Sequence, residues 1–136
     1  YLVGAPYVEI FSLKRKHYNN LIRKTVSHLN TKKVFYLPHP KENLIELKKQ
    51  NLDCIKIIET SFPVELYILN QKNYPKLLAS YGSTALITLK KISKKLQLIN
   101  MIPNFPNSTK VNHKRLYKLN RYIKKIGIKS KKISIL

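Results

Sequence analysis

The sequence predicts an α/β domain, a parallel sheet with flanking helices. Three observations carry that prediction. Short apolar runs alternate with helical stretches of about ten residues from Val34 onward, the pattern of successive βαβ units. Those runs, such as Val34-Phe35-Tyr36-Leu37, are apolar at nearly every position, as strands covered on both faces are. The length, 136 residues with 43% hydrophobic, suffices for one packed core and is too short for two.

Taken in order, Tyr1 to Ser12 is apolar and reads as a strand or a tie to upstream sequence, followed by a solvated turn at Lys14-Arg15-Lys16. Residues 19–29 place Leu21, Ile22, Val26 and Leu29 at helical spacing. Strand Val34–Leu37 ends at Pro38-His39-Pro40, and residues 41–51 read as a helix with Leu44, Ile45 and Leu47 turned inward. Cys54–Ile58 is the next strand, and Pro63 suits the first turn of a helix through Leu69. Leu77–Tyr81 is a third strand, Gly82-Ser83-Thr84 opens a helix, and Leu96–Ile102 is a fourth strand. Past Pro103 and Pro106 a polar loop leads to a basic amphipathic helix at about 111–126. Its apolar stripe is Leu116, Leu119, Ile123 and Ile126; its basic stripe is Lys114, Lys118, Arg121 and Lys125. The last ten residues show little periodicity and are expected to fray. Strand order is not derivable from this pattern, and no internal repeat occurs. Three segments follow: 1–31, an N-terminal stretch expected to be a remnant of an upstream domain; 32–102, an α/β ligand-binding domain; and 103–136, a basic loop and helix.

Composition narrows the chemistry. Only three glycines occur, which excludes phosphate loops that need several in close register. The single cysteine, Cys54, excludes an internal disulfide and any multi-cysteine zinc site. It begins a strand and reads as a small buried hydrophobe. No apolar stretch approaches the roughly 20 residues that span a bilayer. The chain begins Tyr-Leu-Val, without methionine or a basic leader, so it is expected to start within a longer protein. Lys and Arg total 27 against six acids, a formal charge of +21. From residue 69 onward there are 16 basic residues and no acid. Such a field attracts polyanions, although lysine is also the commonest solvated surface residue.

In open α/β sheets ligands bind beyond the carboxyl ends of the strands. Three features fall there. Pro38-His39-Pro40 would hold an imidazole on a stiff turn, where it could serve as a general acid or a phosphate partner. The plainer reading is a turn with a surface histidine. Gly82-Ser83-Thr84 would aim N–H groups and hydroxyls at one phosphate, or simply cap a helix. Glu65, in the first turn of its helix, would stabilise the helix dipole or accept the two hydroxyls of a ribose. Together they describe a nucleotide site without a glycine-rich loop. His17, His28 and His113 are scattered among lysines and read as surface residues, and Asp53 belongs to a turn.

Tyr36-Leu37-Pro38-His39-Pro40-Lys41-Glu42 resembles the His-Pro motif of bacterial sialyltransferases, and Tyr81-Gly82-Ser83-Thr84-Ala85-Leu86 resembles their serine motif. The resemblance covers residues 32–102 and points to glycosyltransferase family 52, the lipooligosaccharide and capsule sialyltransferases. The related polysialyltransferase and marine-type families share both motifs. It implies a Rossmann-like domain resembling the C-terminal half of a GT-B glycosyltransferase, transferring sialic acid from CMP-sialic acid to a galactose-containing lipooligosaccharide or capsular glycan. It implies inversion, no metal and no cofactor. His39 would contact the CMP phosphate and assist the leaving group. Leu37 and Pro38, through their backbone, and Pro40 would border the cytosine. Glu65 would hold the ribose, and Ser83 and Thr84 the phosphate. The family's acidic motif, which supplies the catalytic base from an N-terminal domain, does not occur in these residues. A missing N-terminal domain and an inability to transfer alone are therefore expected.

Two other classes compete. A basic nucleic-acid-binding protein with no enzymatic activity would use Tyr117, Tyr122 and the lysines of the terminal helix on a phosphate backbone. A membrane-surface module would lay residues 110–132 on anionic lipid. The last role is compatible with the transferase reading, which would place the protein in the cytoplasm, peripheral on the inner membrane face.

Overall fold

A computed structural model describes residues 1–136. Six parallel strands form one sheet in the order β3-β2-β1-β4-β5-β6. The strands are β1 (Leu2–Val3), β2 (Val34–Leu37), β3 (Ile55–Ile57), β4 (Leu77–Ser80), β5 (Gln97–Asn104) and β6 (Lys129–Ser134). Between them run α1 (Tyr7–Phe11), α2 (Arg15–His28), α3 (Leu44–Lys49), α4 (Val64–Leu69), α5 (Thr84–Ile92) and α6 (His113–Lys125). This is the doubly wound Rossmann-like order.

Side-chain alternation along each strand divides the core in two. Leu2, Tyr36, Ala79 and Met101 face α1, α2 and α3, where Leu21, Ile22, Val26 and Leu47 pack. Their neighbours Val3, Leu37, Leu78 and Leu98 face α4, α5 and α6, meeting Ile68, Leu86, Leu89 and Ile123. Strands β1 to β3 wind outward one way with their helices on one face. The chain then returns past β1 and winds β4 to β6 the other way, with helices on the opposite face. Strand order therefore reverses between β1 and β4, whose register pairs Leu2 with Ala79 and Val3 with Ser80.

Several expectations change. The apolar start is a strand of only two residues, followed by the short helix α1. Lys14-Arg15-Lys16 is the entry to α2 rather than a free turn, because α2 begins at Arg15 and the Tyr18 amide donates to the Lys14 carbonyl at 3.2 Å. Helix α3 is shorter than 41–51, and Ile45, expected inward, is 69% exposed; Asn43 caps the helix and sets a phase in which Leu47 alone is buried. The last ten residues do not fray. They hold β6, which pairs with β5 over six positions, and Ile128, Ile133 and Ile135 in and beside the strand are buried. The sheet thus draws strands from all three segments that the sequence suggests. No helix is long and apolar enough to cross a membrane.

Candidate functional site

The reversal between β1 and β4 opens a crevice at the carboxyl ends of the strands, where doubly wound sheets bind ligands. A cleft of about 380 Å³ lies there. Its floor is Gly4, Ala5 and Tyr7 after β1; His39 enters from the β2 loop, and Gly82, Ser83 and Thr84 from the β4 loop. The far side is closed by Asn112, which caps α6, and by Arg115, Leu116 and Leu119 of that helix. His39 and Ser83, 44 positions apart in the chain, thus face one volume.

His39 is held by its neighbours. The Lys41 amide donates to His39 Nδ1 at 3.1 Å, so in the neutral ring the proton sits on Nε2 and is available to a ligand. Partial burial, with the Lys41 charge adding to it, holds its pKa below the usual histidine value. The imidazole is therefore a neutral donor at pH 7.

The β4 loop is shaped for close approach. Gly82 takes φ +62°, a left-handed conformation that side chains resist, and its N–H donates to Asn100 Oδ1 at 2.9 Å. Asn100 is fully buried on β5 and also donates to Asn120 of α6 at 2.9 Å. Ser83 caps α5, its Oγ accepting the Ala85 amide at 3.1 Å, which leaves its own O–H free. Thr84 is exposed in the first turn. Helix α5 thus presents hydroxyls and a positive dipole end to the cleft.

A second hollow of about 420 Å³ adjoins the first through His39 and is lined by Pro38, Pro40, Glu59, Thr60 and Ser61, with Glu42 at its base. Pro38 and Pro40 therefore sit beside a space. The Leu37 side chain is wholly buried in the core, and its carbonyl accepts the Gly4 amide at 2.9 Å, so only neighbouring backbone reaches either hollow. Glu65 stands half-exposed in the first turn of α4 and lines neither hollow. No three His, Cys, Asp or Glu side chains converge to hold a metal ion.

Two contributors escape the sequence reading. Arg115 is the one permanently charged side chain lining the switch-point cleft, and it has no carboxylate partner. In the sequence it is one of many basic residues on α6, and only the packing of α6 against the β4 loop singles it out. Glu42, expected within a helix of residues 41–51, precedes α3 and is 7% exposed beneath His39. Its spacing from His39 gives no hint of burial.

A doubly wound sheet with a cleft at its switch point defines a Rossmann-like α/β protein. Residues 2–101 match the alpha-2,8-polysialyltransferase (POLYST) family, and the chain belongs to that family. It carries a sialyltransferase, hence glycosyltransferase, domain. This is the polysialyltransferase relative named beside family 52, and the match begins at β1 rather than at residue 32. No curated protein matches the chain.

Proposed function

We propose that this domain binds the CMP moiety of CMP-sialic acid across the two hollows and stabilises departure of CMP during sialyl transfer. The observation that carries the reading is the convergence of His39 with Ser83 and Thr84 on one cleft. His39 Nε2–H and the two hydroxyls would donate to the phosphate, whose negative charge grows as the glycosidic bond breaks. Arg115 would add a permanent charge to the same volume. Pro38 and Pro40 would border the base; Leu37 and Glu65 line neither hollow and take no part in this site. The acceptor would be a galactose-containing lipooligosaccharide or capsular glycan, and transfer would invert configuration without a metal. The base would come from outside these residues: no carboxylate lines the switch-point cleft, and of the two in the second hollow Glu42 already accepts a hydrogen bond on each oxygen and Glu59 is paired with Lys48.

The basic outer face of α6 favours peripheral contact with anionic membrane. Tyr117 and Tyr122 are exposed there among Lys114, Lys118, Arg121 and Lys125. Such a face would lie on anionic headgroups, giving a cytoplasmic, peripheral location.

The experiment is a CMP titration of the chain followed by calorimetry and amide shifts. Binding should weaken at least tenfold in His39→Ala and Ser83→Ala variants that remain folded by circular dichroism. No response from the folded wild type at millimolar CMP overturns the proposal. Binding indifferent to His39 but falling steeply with salt favours the nucleic-acid reading instead.

A further inference from the structure

We infer that Glu42 is a positioning residue: its buried carboxylate fixes His39 over the cleft through the His39 backbone amide, at the end of a hydrogen-bond chain that starts in the loop after β1.

Pro38 and Pro40 have no N–H, so His39 supplies the only amide donor of that turn. It does not face solvent or ligand. It donates inward to Glu42 Oε2 at 2.6 Å, while the Glu42 amide returns to the His39 carbonyl at 2.9 Å. The other oxygen, Oε1, accepts the Tyr36 hydroxyl at 2.7 Å. Tyr36 and Tyr18 hydroxyls lie 2.7 Å apart, and the Ala5 amide donates to the Tyr18 oxygen at 2.9 Å. An ionised carboxylate can only accept and an amide can only donate, so every link has one direction. It runs from Ala5 to Tyr18, Tyr36 and Glu42, and the carboxylate then takes the His39 amide as well. The two loops that flank the cleft are joined by one directional, buried chain. Gly4 makes room for it, since a Cβ there would fall on Glu42 Oε2 and the Tyr36 hydroxyl.

The carboxylate has no cation to pair with and no free oxygen, which suits a structural acceptor and not a proton-transfer base. The groups facing it are the phenols of Tyr36, Tyr18 and Tyr81, the His39 turn, and the carboxylate of Glu9 on α1, itself paired with Arg15 at 2.8 Å. Burial holds the three phenols neutral. Burial also pushes Glu42 up to about 7. A proton on Oε2 would displace the His39 amide, which can only donate, and a proton on Oε1 would turn the Tyr36 hydroxyl into an acceptor and reverse the links behind it. The chain keeps its direction only while Glu42 is charged.

The inference rests on the CMP reading for its functional arm alone. The test follows the His39 backbone amide by NMR from pH 5.5 to 8.5 in wild type, Glu42→Gln and Tyr36→Phe, with CMP affinity at pH 8. In wild type the amide should move with a midpoint near 7, besides any movement from the imidazole below 6.5. Glu42→Gln should abolish the upper transition and weaken CMP about tenfold. Tyr36→Phe, which removes one donor to the carboxylate, should move that midpoint upward, and it keeps the test decisive if the Gln variant does not fold. An amide without the upper transition in wild type overturns the inference, and so does CMP affinity unchanged in a folded Glu42→Gln protein. If wild type shows the transition, the variants shift it as stated and CMP does not bind, the positioning stands and the nucleotide reading falls.

Discussion

Glu42 makes stability depend on pH in a direction opposite to most carboxylates. Its pKa is raised by burial from 4.5 to about 7, so between those values the folded protein binds more protons than the unfolded chain. The group's stabilising contribution is therefore full below about pH 4.5 and is lost as pH rises through 7. The span amounts to about 3 kcal/mol. Subtracting the Glu42→Gln profile cancels the other titrating groups, His39 included. In urea melts, wild type should lose roughly that amount relative to the variant between pH 5 and pH 8. A difference flat with pH would contradict the burial of an ionisable carboxyl. Gly4 offers a second check at the same scale. Gly4→Ala forces a methyl group against Tyr36 and Glu42 and should cost about 1–3 kcal/mol of stability in the same melts. An alanine variant as stable as wild type would mean that the network has slack.

Elements show most clearly what the sequence could and could not announce. Strands β2 to β5 and helices α4 to α6 follow from apolar runs, Pro63 and Ser83, because each signal is local and strong. Strand β6 was illegible: Lys-Ser-Lys-Lys-Ile-Ser carries one apolar residue, and its fold comes from pairing with β5. Its lysines suit an edge, where charge discourages pairing with another chain. Strand β1 is two residues long and gains its place from neighbours on both sides. At the site, the His-Pro turn and Ser83 were legible because proline stiffness and capping are short-range. Arg115 and Asn100 were not, since their roles depend on α6 and β5 arriving beside the β4 loop. Two outcomes follow. Deleting residues 127–136 removes β6 and three buried isoleucines, and should abolish the cooperative melt seen by circular dichroism. Asn100→Ala leaves the Gly82 amide without its acceptor and should cost about 1–3 kcal/mol, with looser CMP binding in the calorimeter. A cooperative melt without β6, or an Asn100→Ala protein binding CMP as wild type does, would show that these elements do not shape the site.

For the molecule as a whole, charge and topology have separate consequences. In the proposed site CMP would meet neutral donors and one arginine, whereas most of the +21 charge is spread over the surface. CMP affinity should therefore fall only modestly between 50 and 300 mM salt (conditions chosen to span about a twofold change in screening length), while attachment to anionic vesicles should collapse. Sedimentation with the vesicles and calorimetry with CMP, run on the same samples, read the two effects, and parallel losses would place CMP on the surface lysines. The position of β1 has a further consequence for how the chain folds as it is synthesised. Once residue 37 has emerged, β1 can pair with β2 along one side only; its other partner, β4, ends 43 residues later. At ordinary translation speeds of about 5–20 residues per second, that is a delay of roughly 2–9 seconds. Through this interval the innermost strand of the finished sheet is an exposed edge, and the Leu2-Val3 backbone is open to pairing with a neighbouring nascent chain. The ligand crevice and this window of vulnerability share one origin, the late return of the chain past its first strand.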